Sequence, residues 1–287
     1  MPIYAPTLPP RPALDQGPHP IATIMRFDLK RVLRAKLGRF FGFIFVFILI
    51  VRIAVLYVNH LLATKQQLAQ VRDFAKDILS QGAAFQADCL PPWLLTILWF
   101  QVAIVGGGLV ARDTLYRVRP LLYAHPVRPQ DYLAAKGLFA TALPFAIQLP
   151  FVLVPWGMSL LIAGVQGPIW PTAPLHLLPA ALIIAALMGA VTLGASAMAS
   201  TPRMGFGWVL GIVLGSAALG GLVGALTGNV AWLAVSPGAL VAAWPELLCG
   251  VADPKLGWIP ASFGTAAHVA LWLWIAARRT RPDEAVM

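Results

Sequence analysis

The chain has 287 residues, 59% of them hydrophobic and 11% charged, with a mean hydropathy of +0.77; soluble domains carry roughly 25% charged residues, so a soluble globule is excluded. A formal charge of +10 would point to nucleic acid in a soluble domain. Here the Lys and Arg residues cluster in short segments between long apolar stretches, as expected beside anionic headgroups, and membrane lipids rather than nucleic acid are the expected partner.

Residues 1–20 are rich in proline and have no apolar core. They are neither a signal peptide nor a span and are expected to form a flexible cytoplasmic tail. Over 21–39, Ile21, Met25, Leu29, Leu33 and Leu37 fall four apart, supplemented by Ile24 and Val32, while Arg26, Lys30 and Arg34 make a parallel basic stripe. The pattern predicts an amphipathic helix lying in the inner headgroup layer. A plain positive-inside anchor shares most of that physics.

A hydrocarbon core about 30 Å thick needs roughly 20 apolar residues in a helix. Six stretches pass, at 40–58, 93–111, 138–163, 177–200, 208–227 and 259–277, so 40–277 reads as an all-α polytopic transmembrane domain. Most of the 21 Lys and Arg residues fall before Phe40, within 112–136, at Arg203 or after Ala277; only Lys65, Arg72, Lys76 and Lys255 fall on the other side. Positive flanks stay cytoplasmic. Both termini, including the tail at 278–287, are therefore expected inside, in a multi-pass protein of the cell's inner membrane.

Within this frame, Arg52 sits inside the first span, about 18 Å from its inner end. A charge there is costly and often functional; it either snorkels to the outer surface or lines a translocation path. The external segment 59–92 carries Leu68, Val71, Phe74, Ala75, Ile78 and Leu79 at helical spacing, which predicts an external amphipathic helix. Span three holds Pro144, Pro150 and Pro155, which free backbone carbonyls and favour kinks, and Gln148 is a second candidate for a path. Span five carries Gly207, Gly211, Gly215, Gly220 and Gly224, allowing close packing or a dimer face. The apolar stretch within 228–258 is interrupted by Pro237 and Pro245 and predicts short external or re-entrant helices. Cys89 and Cys249 show no metal-ligand spacing; they are two free thiols or one periplasmic disulfide.

The loop at 111–137 carries the functional signal: Arg112-Asp113, then Leu115 to Tyr123, then Pro126-Val127, then Asp131-Tyr132 and Lys136. It resembles the first cytoplasmic loop of ABC-2 type transporter permeases. In those proteins a charged pair ending span two leads into a short coupling helix, and a Pro-Val or small-polar turn precedes an acid, a tyrosine and a lysine opening span three. The order of parts also matches, from interfacial helix to broken helices before the last span. Pro120 departs from the pattern, so the coupling helix is shorter than in the family or begins after it. The resemblance implies that Arg112, Asp113, Leu115, Tyr116, Pro126, Asp131, Tyr132 and Lys136 engage an ATPase subunit. It also implies a second permease copy, as a homodimer or with a related chain, and export as the commoner direction; a periplasmic accessory protein is a further candidate partner.

No G-x-x-x-x-G-K-[ST] sequence occurs, so ATP and Mg are expected on the partner chain, with no cofactor and no enzyme activity here. Three other classes fit the sequence less well. A secondary transporter is disfavoured by six spans without Asp or Glu, while a membrane scaffold subunit stays open as the alternative because no substrate-binding cluster is visible. A rhomboid-like protease would pair Ser196 with His268, but from their positions in spans four and six they lie about 28 Å and about 14 Å deep, too far apart for a hydrogen-bonded nucleophile and base. His60, His176 and His268 make no metal-ligand cluster.

Overall fold

A computed structural model describes residues 20–64, 82–118, 128–164 and 169–280. The helix expected around Leu68 and Leu79, Pro120, Pro126-Val127, and the tails before Pro20 and after Thr280 lie outside the described residues. The elements in chain order are α1 (Pro20–Arg34), α2 (Lys36–Thr64), α3 (Gly82–Ala87), α4 (Pro92–Gly106), α5 (Ala111–Leu115), α6 (Pro129–Ala163), α7 (Ala173–Met198), α8 (Pro202–Thr227), a 3-10 turn (Val230–Val235), α9 (Pro237–Leu248) and α10 (Trp258–Arg279). No strand occurs among the described residues. Six helical stretches are long and apolar enough to cross a membrane, and the chain is an all-α polytopic membrane protein.

The core forms around α7, a helix built largely of Ala, Gly, Leu and Ile. It is buried along most of its length and packs chiefly on α6 and α10. Small residues let those neighbours close in: a Cβ on Gly194 would stand 2.7 Å from the Trp272 ring, and one on Gly189 2.6 Å from the Thr141 hydroxyl. By contrast α2 and α8 are buried over only 17% of their apolar windows. Phe43, Phe47 and Ile50 on α2, and Leu214, Leu219 and Leu222 on α8, point outward, the disposition that suits helices bathed in acyl chains.

The second span is longer than its apolar stretch. It runs Ala83–Leu115, with α3, α4 and α5 joined by two turns, and Phe85, Gln86 and Cys89 are buried in the core. The last part of the segment expected outside, 82–92, therefore belongs to the bundle. Its second turn begins at Gly106-Gly107-Gly108. There α8 crosses so closely that a Cβ on Gly205 would collide with the Gly107 carbonyl, and one on Gly107 would lie 2.6 Å from the Phe206 nitrogen.

The faces of α8 and α1 divide between protein and the surroundings. A Cβ on Gly207, Gly211 or Gly215 would enter open space, so that stripe is left to lipid or a second copy, whereas the close backbone approaches within the chain are made by Gly205 and by Gly220, whose Cβ would stand 2.7 Å from the Trp232 carbonyl. Leu29 and Leu33 on α1, and Leu37 at the start of α2, are exposed and free to meet lipid. The face turned to the protein is Met25, Asp28 and Val32, with the two apolar side chains, both from the expected apolar set, against Leu109, Phe139 and Ala140. A buried acid, rather than the leucine stripe, sets the rotation of that helix. Arg26, Lys30 and Arg34 stay exposed as the basic stripe requires.

The α6 helix continues through Pro144, Pro150 and Pro155 for 35 residues. Before the last span, the 3-10 turn and α9 form the expected pair of short helices. The Ser236 hydroxyl accepts from the Ala239 N–H at 3.3 Å and opens α9, and Leu240, Val241, Trp244 and Leu247 are buried.

Candidate functional site: a buried ion cluster joining the second and third spans

Lys136 lies two turns into α6 and is 2% exposed. An ammonium so far from water must be paired and hydrogen-bonded. Its Nζ is 2.8 Å from Asp28 Oδ2 and 2.9 Å from Asp113 Oδ2. Tyr132, one helical turn earlier and fully buried, donates its hydroxyl to the same Asp113 oxygen at 2.9 Å. The i, i+4 spacing of Tyr132 and Lys136 puts both on one face of α6. Asp113 comes from α5 and Asp28 from α1, so a single ammonium binds three elements.

Charge is balanced by Arg31, whose Nη1 stands 3.5 Å from Asp28 Oδ1. That oxygen is buried and receives no hydrogen bond, leaving Asp28 the less well served of the two acids. Burial pushes its carboxyl above the usual 3.8, opposed by Lys136 and then Arg31.

A second contact sets the position of Asp113. The first N–H groups of a helix have no carbonyl to bond within it, and at α5 they go to α7: Val110 and Ala111 donate to Ser196 Oγ at 2.9 and 3.2 Å. Ser196 is fully buried. At the other end, Tyr116 N–H donates to the Arg112 carbonyl at 2.9 Å, and Arg117 takes φ +52°, the left-handed conformation that ends a helix. The tip left outside carries Leu115, 47% exposed, and Tyr116, 71% exposed.

The residues singled out in 111–137 thus divide. Asp113, Tyr132 and Lys136 face inward and join one another. Asp113 pairs with Lys136, not with its neighbour Arg112, which lies partly exposed over Gly108. Asp131 accepts the Arg128 N–H at 3.4 Å and caps α6. Leu115 and Tyr116 are at the surface, and Pro126 lies outside the described residues. Asp28 and Arg31 belong to the site and are not among the sequence candidates, and Ser196, named from the sequence only as a protease nucleophile, belongs to it as well. The one acid in a strongly basic helix is the signal that could have found Asp28.

The other candidates lie elsewhere. Gln148 is buried and donates from Nε2 to the Pro144 carbonyl at 3.1 Å, while its Oε1 has no partner. Arg52 does not snorkel freely: its Nη1 is 3.5 Å from Asp88 Oδ2, and its guanidinium lies 5.4 Å from the Phe85 ring centroid. His268 accepts from the Trp272 indole N–H at 3.3 Å through Nδ1, and its Nε2 stands 3.0 Å from the Val235 carbonyl. Ser196 and His268 are committed to different partners and form no nucleophile–base pair. Cys89 and Cys249 are both buried free thiols, and burial pushes Cys249 up to about 12. Among the described residues no three His, Cys, Asp or Glu side chains are grouped to hold a metal.

What the cluster can do is mechanical. It locks the start of the third span, the N-terminal helix and the short helix ending the second span into one unit. Compared with known proteins, the chain matches no protein-family model and no curated protein.

Proposed function

We propose that the chain is the membrane-spanning permease subunit of an ABC-2 type transporter, working with a separate ATPase subunit that binds ATP and Mg. The reading rests on one observation: the exposed Leu115-Tyr116 tip is carried on a short helix whose base is fixed by the Asp28–Lys136–Asp113 cluster and by Ser196. A tip that swivelled freely would absorb a push. One anchored to three elements passes it to α1, α6 and α7, and thereby to the spans. The orientation that follows puts this tip and both termini in the cytoplasm, the membrane is the inner one, and a second permease copy completes the pathway. The sequence resemblance of 111–137 to the coupling loop of such permeases supports the same reading.

The test is co-purification with the ATPase subunit and ATP-driven transport in vesicles. Leu115→Asp with Tyr116→Asp is expected to lower ATPase association at least tenfold while the protein still inserts and unfolds at its normal temperature. Asp113→Lys is expected to uncouple ATP hydrolysis from transport. Unchanged association together with unchanged transport in both variants would reject the assignment.

A further inference from the structure

At the end of the bundle opposite the ion cluster, Arg52 is held in an incomplete site. Its side chain is 13% exposed. A guanidinium has five N–H donors in a fixed planar fork, and here one nitrogen, Nη1, reaches a carboxylate, at the long distance of 3.5 Å. The other two, Nε and Nη2, are buried and have no hydrogen-bond partner. The Phe85 ring centroid lies 5.4 Å from the guanidinium carbon and supplies no acceptor, and the buried Cys89 thiol beside the group is at most a weak one. Buried donors left unmade are costly, and more so for a charged group.

The identity of the unpaired atoms matters. Nε–H and the adjacent Nη2–H point the same way along one edge of the guanidinium, which is the edge that grips two oxygens of a carboxylate or phosphate at once. Asp88 occupies a different corner, and its side chain is 43% exposed, so it neutralises the arginine without filling that edge.

We propose that Arg52 is the recognition group of an oxyanion site, taking a phosphate or carboxylate on its Nε/Nη2 edge, with Asp88 as the resident counter-ion that weakens when the ligand arrives. The ligand oxygens replace the missing acceptors, and Phe85 walls the back of the site. Two sources carry that chemistry: the head of an amphiphile in the bilayer, or an anion arriving from water. The site does not rest on the ATPase-driven reading; it would exist equally in a permease of another class.

The experiment is equilibrium binding to the purified full chain in an uncharged detergent, with radiolabelled dodecyl phosphate in one arm and radiolabelled inorganic phosphate in the other. Saturable binding in at least one arm is expected. Arg52→Lys, which keeps the charge but loses the fork, should weaken it about tenfold, as for loss of one charge-assisted hydrogen bond. Asp88→Asn should tighten it several-fold, because the competing carboxylate is gone. Binding of dodecyl phosphate alone assigns the amphiphile, and equal binding of both probes assigns the dissolved anion. Arg52→Gln should abolish binding; should that variant fail to fold, the other two decide. No saturable binding in either arm, or affinities unmoved by both Arg52→Lys and Asp88→Asn, would overturn the proposal.

Discussion

At the scale of single residues, the molecule turns on Lys136. Removing one partner of a buried ionic group costs far more than the pair contributes, because the other charges stay stranded. Lys136→Met leaves Asp28 and Asp113 facing each other without their ammonium, and should lower stability by about 3–5 kcal/mol. The triple variant with Asp28→Asn and Asp113→Asn should recover much of the loss. Thermal unfolding in detergent, followed by tryptophan fluorescence, reads both. Asp28 also has a predictable titration. Its folded carboxyl sits above 3.8, so the folded chain takes up this proton at higher pH than the unfolded chain does. Its contribution to stability is full below 3.8 and is lost as pH rises through the folded value. Infrared difference spectra between the wild type and Asp28→Asn should show the carboxylic acid band on acidification already above pH 3.8. A band emerging only below that value would remove burial as the governing influence. Sequence resemblance reached Asp113, Tyr132 and Lys136, but gave them a partner outside the chain, because the acid that completes them lies 108 residues away. The role of Ser196 is hidden for the same reason: its two bonds go to backbone N–H groups more than 80 residues earlier, and backbone leaves no mark on residue identity.

Among elements, length and hydropathy proved the strongest guides, and facing the weakest. All six apolar stretches became helices, lengthened at most ends, because polar residues such as Arg203 and Arg278 continue a helix into the headgroup layer without entering the hydrocarbon. The rotation of α1 and the packing side of α8 were not legible. In lipid the apolar residues point outward as readily as inward, so a leucine or glycine stripe does not say which side meets protein. The contrast can be measured. Gly205→Ala forces a methyl group into the Gly107 carbonyl and should cost about 1–3 kcal/mol. Gly207→Ala enters open space and should be neutral or stabilise by up to about 1 kcal/mol, through helix propensity alone. Equal losses at both positions in thermal unfolding would mean that the exposed stripe is covered in the assembled protein.

For the whole molecule, composition alone settled the class, and the distribution of Lys and Arg supplied an orientation. That orientation can be tested in one experiment, since both native thiols are buried and give a quiet background. Tyr116→Cys should react with an impermeant maleimide from the cytoplasmic side only, and Lys255→Cys from the outside only. The reverse pattern would invert the topology and take the coupling role of Leu115 and Tyr116 with it.

The long interval between Asp28 and its lysine also governs how the chain is made. During synthesis α1 and the first two spans leave the ribosome well before Lys136 does, so the acid must wait in the growing chain with Arg31 as its near companion. Only when the third span enters can α1 be pulled from the lipid surface and fastened. Insertion intermediates halted before residue 136 should therefore carry a loose, protease-sensitive N-terminal helix, and those halted beyond it a docked one, making this lysine the clasp that closes the first half of the molecule.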